Sequence, residues 1–189
     1  MSKIKWGIIG TGSIANAFAH SIKHCNHSDL ISVFGRNEDA LGKFSHKFNI
    51  RSHSDVNSLL SSKNVDAVYI ATPHNSHYEY AFQAIKNKKH ILCEKPITIN
   101  HIESMVLFGL AQDAEVFLME AYMYRTHPQT LNILNRLKIL RDVNENISIN
   151  CSFGFKADIP EDHRLRNLAM GGGAILDVGC YPLSMVKLL

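Results

Sequence analysis

Ile4-Lys5-Trp6-Gly7-Ile8-Ile9-Gly10-Thr11-Gly12-Ser13-Ile14-Ala15 is the stretch that decides the fold: an apolar run, a turn with two glycines two residues apart, and the start of a helical pattern. In a strand–turn–helix unit of this kind the first glycine permits the tight turn. The second lets backbone N–H groups approach a pyrophosphate, and a small third residue, here Ala15, lets the helix pack closely on the strand. The helix N-terminus adds partial positive charge toward the phosphates. Taken alone the spacing is weak, because a glycine turn joins many strands to many helices. Its surroundings give it weight.

Outward from this stretch, short apolar runs at 4–9, 30–34, 67–71, 91–93 and 116–119 read as buried strands. Helix-length segments at 14–24, 38–48, 77–88 and 100–113 separate them, and in the second of these Leu41 and Phe44 share a face with Phe48 one turn on. Repeated strand–helix order predicts an α/β fold, a parallel sheet covered on both faces with right-handed crossovers. After residue 120 the rhythm breaks. A helical stretch over 129–137 precedes Ile147, Ile149, Cys151, Phe153 and Phe155, which alternate with Ser148, Asn150, Ser152 and Gly154. Period-two alternation predicts a strand with one buried face, as in an antiparallel sheet. The expected organisation is a dinucleotide-binding Rossmann domain over 1–122 and, over 123–189, the start of an α+β domain with a mainly antiparallel sheet. One strand cannot make a stable sheet, so the chain reads as the front part of a longer protein.

Composition narrows the function. The 189 residues are 46% hydrophobic and 20% charged, with a formal net charge of +3 spread over scattered lysines and arginines, which argues against a nucleic-acid partner. Cys25, Cys93, Cys151 and Cys180 lack CxxC or zinc spacing and suit reduced thiols in a cytoplasmic protein. The opening residues run straight into a strand pattern rather than a signal peptide, and no stretch reads as long and apolar enough to span a bilayer.

The end of the second predicted strand bears on the choice of cofactor. An NAD site calls for Asp or Glu there, to accept from the ribose hydroxyls. The sequence has Phe34-Gly35-Arg36-Asn37, whose guanidinium fork, assisted by Asn37, suits a 2′-phosphate. NADP(H) is therefore favoured over NAD(H); the alternative is a solvated surface arginine near Glu38 and Asp39. Thr72-Pro73-His74-Asn75-Ser76-His77 falls on the carboxyl rim where open α/β sheets bind ligands. No third ligand accompanies its two histidines, so no metal is expected. His77 reads equally as a packing residue or a cofactor contact. Cys93-Glu94-Lys95-Pro96 ends the next strand, where a lysine near a nicotinamide polarises a substrate oxygen, although spacing alone favours a solvent-facing side chain.

GIIGTGSIA (7–15), ATPHNSHYEYA (71–81), CEKPIT (93–98), MEAYMYRTHPQ (119–129) and GGGAILDVGCYPLS (171–184) occur in this order. Together they resemble the Gfo/Idh/MocA family of oxidoreductases, on its glucose–fructose oxidoreductase and trans-dihydrodiol dehydrogenase branch. The resemblance implies NADP(H)-dependent hydride transfer between nicotinamide and a CH–OH group of a sugar, polyol or diol. It gives catalytic roles to Lys95, Asp177 and Tyr181, with tyrosine where many relatives carry histidine. It places Gly10, Thr11, Gly12, Ser13, Ile14, Arg36, Thr72, Pro73, His74, His77, Glu94, Lys95 and Arg125 along the cofactor, and implies a cis Lys95–Pro96 bond. Asp177 and Tyr181, four apart, would share a face of a helix. Arg164 and Arg166 read either as partners of substrate hydroxyls or as loop charges. Complete members of the family continue with a sheet that closes the substrate pocket and usually forms homo-oligomers. Two alternatives are a cofactor-binding module without turnover and an inactive truncated fragment.

Overall fold

A row of residues at matching heights across one sheet fixes where the chemistry of this chain can lie. In the computed structural model, which describes residues 3–142 and 146–189, β1 (Ile4–Ile9) leads into α1 (Ser13–Ser21), and β2 (Ser28–Phe34) into α2 (Glu38–Phe48). They are followed by β3 (Arg51–His53), α3 (Val56–Leu60), β4 (Ala67–Ile70), α4 (His77–Lys86), β5 (His90–Cys93), α5 (His101–Asp113) and β6 (Leu118–Glu120). The strands form one sheet in the order β3-β2-β1-β4-β5-β6, all parallel. Phe34, Ile9, Ile70, Cys93 and Glu120 stand side by side in its register. The loops leaving β1, β2, β4 and β5 therefore open on a single rim.

The core explains that order. Every residue of β4 is buried, as its unbroken Ala-Val-Tyr-Ile run demands of a strand covered on both faces. Ile9, Val68, Ile70 and Ile91 from the strands pack with Leu59, Leu60, Ala81, Ile85 and Leu107 from the helices. Each fully buried leucine is worth about 2–5 kcal/mol against alanine. Helix starts follow their capping residues: Asn37, Asp55 and Asn100 accept backbone N–H bonds from Ala40, Ser58 and Glu103. β3 and α3 do not stand out in the sequence. Arg51-Ser52-His53 carries one buried side chain, too little for a periodic signal.

The chain divides into two compact units, Met1–Glu120 and Ala121–Leu189. The second contains α6 (Pro128–Asp142), short 3-10 turns at Met123–Thr126, Arg164–Arg166 and Leu168–Met170, a π-helical turn (Ile175–Gly179) and α7 (Cys180–Leu188). The expected antiparallel strand over 147–155 is not formed among the described residues. Ile147 and Ile149 are half-buried between exposed Ser148 and Asn150, but residues 151–158 are exposed throughout. Alternation selects a face; a strand also needs a neighbour to bond, and among the described residues none is paired to this segment. By length and composition alone, one stretch departs from expectation. Leu168–Leu188 has the length and mean hydropathy, 21 residues and 1.2, of a membrane-crossing helix. Its backbone leaves the helix at Gly171 (φ 71°) and Gly173 (φ 107°), however. Continuous helix runs only from Ile175 to Leu188, short of the roughly 20 residues that a bilayer core requires.

Candidate functional site

A cleft of about 250 Å³ opens at the rim between the ends of β1, β2 and β4, and Gly10, Thr11, Gly12, Arg36, Thr72 and Pro73 all line it. Gly10 sits at φ +118° and donates its N–H to Phe34 O at 2.8 Å. A Cβ there would lie 2.3 Å from Ala71 O, so only glycine closes this turn. Gly12 precedes α1, and no side chain caps that helix. A Cβ on Gly12 meets nothing within 4 Å. The space a side chain would fill is open in front of uncapped backbone donors, the arrangement a pyrophosphate requires. Ser13 and Ile14 are exposed in the first turn of α1.

Two residues that the motif does not reveal hold this loop. Asn16 Nδ2 donates to Thr11 O and Gly12 O at 3.3 and 3.0 Å. Its Oδ1 accepts from Lys47 Nζ of α2 at 2.9 Å, which also fixes the orientation of the amide. Lys47 thus brings positive charge to the back of the loop. Nothing in the sequence spacing links residues 16 and 47; the packing of α2 beside α1 does.

Arg36 is exposed at the tip of β2, and no carboxylate among the described residues forms an ion pair with it. Asn37 does not match the expectation fully. Its Oδ1 accepts from Ala40 N–H at 2.8 Å and so belongs to the α2 cap.

At the end of β4, Ser76 Oγ lies 2.9 Å from Thr72 Oγ1 and 2.7 Å from Pro73 O. His74 and His77 are 5% and 0% exposed. His77 Nδ1 lies 2.8 Å from Pro96 O and its Nε2 2.8 Å from Thr72 O. Direct cofactor contact, one of the two sequence readings of His77, gives way to the other: a buried ring bonded to backbone. At the end of β5 the Lys95–Pro96 bond is cis. Glu94 N–H donates to Ile70 O at 2.9 Å, and the Tyr69 phenol donates to the Glu94 carboxylate. Tyr69 stacks on Phe18 of α1 with ring centroids 4.2 Å apart. Past Pro96, Ile97 N–H donates to Glu120 Oε1 at 2.8 Å. Lys95 is half-buried on a turn braced from both sides. Beside it Cys93 is fully buried; burial, then the carboxylates of Glu94 and Glu120, push its thiol well above the ordinary range.

In the second unit, Arg125 Nη2 lies 3.1 Å from Ser184 Oγ, which also accepts from the Tyr124 phenol at 2.7 Å. Tyr181 sits among Tyr122, Tyr124 and Phe153, with ring centroids 5.5, 6.1 and 5.1 Å away. It lines a cleft of about 880 Å³ with Met123, Tyr124 and Phe153. Asp177 lines a different cleft of about 300 Å³ with Phe155, Leu165 and Val178. The two residues thus line separate clefts. The π turn that holds Asp177 widens the helix just before Tyr181 and shifts the angle between them. Arg164 and Arg166 lie on a 3-10 turn, half-buried and exposed respectively. Among the described residues no group of three or more metal-ligating side chains forms.

Residues 4–122 match the model of the Gfo/Idh/MocA oxidoreductase family, described by its NAD-binding Rossmann fold, and the chain belongs to that family. It is similar to D-xylose 1-dehydrogenase (NADP(+)) of Hypocrea jecorina, 30% identical over 97% of this chain and 52% of that protein. It is also similar to trans-1,2-dihydrobenzene-1,2-diol dehydrogenase of Xenopus tropicalis, 30% identical over 98% of this chain and 56% of that protein. Among solved structures, a 3-ketoreductase from Actinomadura kijaniata in complex with NADP and TDP-benzene superposes with a TM-score of 0.86. It is 28% identical, over 99% of this chain and 57% of that one. The chain thus spans about half the length of the curated relatives it matches.

Proposed function

We propose that this protein is an NADP(H)-dependent oxidoreductase acting on the CH–OH group of a sugar, polyol or diol. One observation carries the cofactor reading: the glycine turn and Arg36 line the same cleft, with no carboxylate at the tip of β2. The residues present fit the cofactor, since the open position at Gly12 faces an uncapped helix start. When bound, the nicotinamide supplies or accepts a hydride. The chain's own part is to bind and orient. Backbone N–H groups at Gly12, Ser13 and Ile14 hold the pyrophosphate, and Arg36 takes the 2′-phosphate in its fork. Thr72 and Pro73 shape the wall of the cleft. Lys95, on its braced turn, hydrogen-bonds the reacting oxygen of the substrate and stabilises the charge that develops there. Tyr181 is the proton donor and acceptor, and Asp177 fills the remaining active-site position that the family resemblance implies. Arg125 joins the cofactor contacts by the same resemblance. The relatives' names, a xylose dehydrogenase and a dihydrodiol dehydrogenase among them, support the substrate class. A cytoplasmic location and homo-oligomers in the complete protein belong to the same proposal.

Fluorescence titration with NADPH and NADH, then turnover on a panel of aldoses, inositols and diols, tests it. Arg36→Ala is expected to weaken NADPH about tenfold or more and NADH hardly at all, in line with about 1.5–3 kcal/mol for a hydrogen bond to a charged group. Equal losses for both would remove the phosphate assignment. Lys95→Ala is expected to abolish turnover and spare NADPH affinity. The second reading, cofactor binding without turnover, rests on the chain's half-length match to its relatives. Tight NADPH binding with no turnover of any substrate would select it.

A further inference from the structure

We propose that His77 is a positioning residue, held as an imidazolium that ties the Thr72 loop to the Lys95–Pro96 turn. The proposal rests on reading this rim as the nicotinamide end of the cofactor site. His77 is 0% exposed, and each of its ring nitrogens lies 2.8 Å from a backbone carbonyl oxygen, Nδ1 from Pro96 and Nε2 from Thr72. A carbonyl oxygen only accepts, so each contact needs an N–H on the ring. A neutral imidazole has one N–H and one lone pair, and would set that lone pair against an oxygen at 2.8 Å. Turning the ring over would present C–H edges to both oxygens. Only the doubly protonated ring satisfies both contacts.

Burial opposes a charge, and two charge-assisted hydrogen bonds offset that cost. The charged and titratable groups on the surrounding segments divide by sign. Glu94 lies on the same turn as Pro96, and Glu120 on β6 holds Ile97 N–H, one residue beyond it. Against them stands Lys95; the titratable ring of His74 has its centroid 5.8 Å from that of His77. The mechanical consequence follows from topology. Thr72 and Pro96 belong to the loops leaving two adjacent strands, β4 and β5. One ring spans both, so Lys95, one residue before Pro96, is held in register with the loop that lines the cofactor cleft.

Ring 1H–15N spectra of the labelled 189-residue chain test the charge. Two protonated nitrogens on His77 at pH 7 are expected; one protonated and one bare nitrogen overturns the proposal. His77→Asn can reach only one of the two loops. Amide exchange over residues 72–76 and 94–98 is then expected to speed up at least tenfold, while residues 10–12 keep their rate. Unchanged protection in both segments would also overturn it. If the variant fails to fold, the wild-type spectrum alone decides. Neither measurement needs cofactor: an imidazolium in a chain that binds no NADPH would reject the cofactor reading and uphold the state assigned to His77.

Discussion

Gly12→Ala separates folding from binding in this molecule. Gly12 has φ −72° and ψ −174°, an extended conformation that alanine adopts readily, and its Cβ would touch no protein atom within 4 Å. Replacing a glycine where the new residue fits stabilises by about 0.4–1 kcal/mol, because the unfolded chain loses freedom. The same methyl group fills the space through which a pyrophosphate oxygen would reach the start of α1. One lost hydrogen bond to a charged group is worth about 1.5–3 kcal/mol, roughly 10- to 150-fold in Kd. The expected result is an unchanged or slightly raised urea midpoint with NADPH affinity down at least about tenfold. Gly10→Ala is the contrasting case. At φ +118° a side chain is strained by about 1–3 kcal/mol. Its Cβ would also collide with Ala71 O, on a residue whose N–H is bonded to Ile9 O at 2.9 Å. The sheet would have to part, and a loss of about 3 kcal/mol or more is expected. If Gly12→Ala binds NADPH as tightly as the wild type, or loses affinity only along with stability, the pyrophosphate assignment is wrong.

Two further outcomes follow from buried polar groups. Lys89 is buried and donates from Nζ to Ser62 O and Val65 O at 2.8 and 2.7 Å, so Lys89→Met leaves two carbonyls short of a partner. A loss of about 2 kcal/mol in urea unfolding is expected, and a change under about 0.5 kcal/mol would show that water replaces the ammonium. His53 lies between Ser58 Oγ and Ser32 Oγ, and burial, with Arg51 adding to it, lowers its pKa below 6.5. Between the lowered folded value and 6.5 the unfolded chain binds more protons, so stability falls as pH drops through that window and is level above it. The stability difference between wild type and His53→Gln should therefore grow as pH rises toward 6.5 and then stay flat; a difference independent of pH would refute this.

The parallel half of the chain was legible because its central strands are buried on both faces and helices such as α2 carry one apolar stripe. Ala67–Ile70 announces itself by an unbroken apolar run, and Ile4–Ile9 by a run that only Lys5 interrupts. Arg51–His53 does not, because three residues with one buried side chain hold no period. The alternation from Ile147 to Phe155 is as regular as any in the sequence, yet among the described residues no neighbouring strand bonds to it. A pattern records which face an element would bury, and the ladder depends on a partner elsewhere. The candidate site divides in the same way. Gly10, Gly12 and Arg36 were readable because turn geometry and charge are local properties. Asn16, Lys47 and the two-sided bonding of His77 were not, because each depends on a carbonyl or amide brought near by packing. The π turn that carries Asp177 into α7 was not legible either, because the four-residue spacing to Tyr181 fits an α or a π turn equally.

Cys93 gives the chain a built-in clock. Its thiol is fully enclosed at the end of β5 and kept protonated, while Cys25 and Cys151 are exposed. An aromatic disulfide reagent would consume the exposed thiols first, half-buried Cys180 more slowly, and would then wait on Cys93. That delay counts how often the end of β5 parts from its neighbours. Because Lys95 follows two residues later, the clock sits on the segment whose rigidity the proposed chemistry demands. A ligand that clamps the rim should slow it, and a native cysteine would report the clamping without any engineered probe.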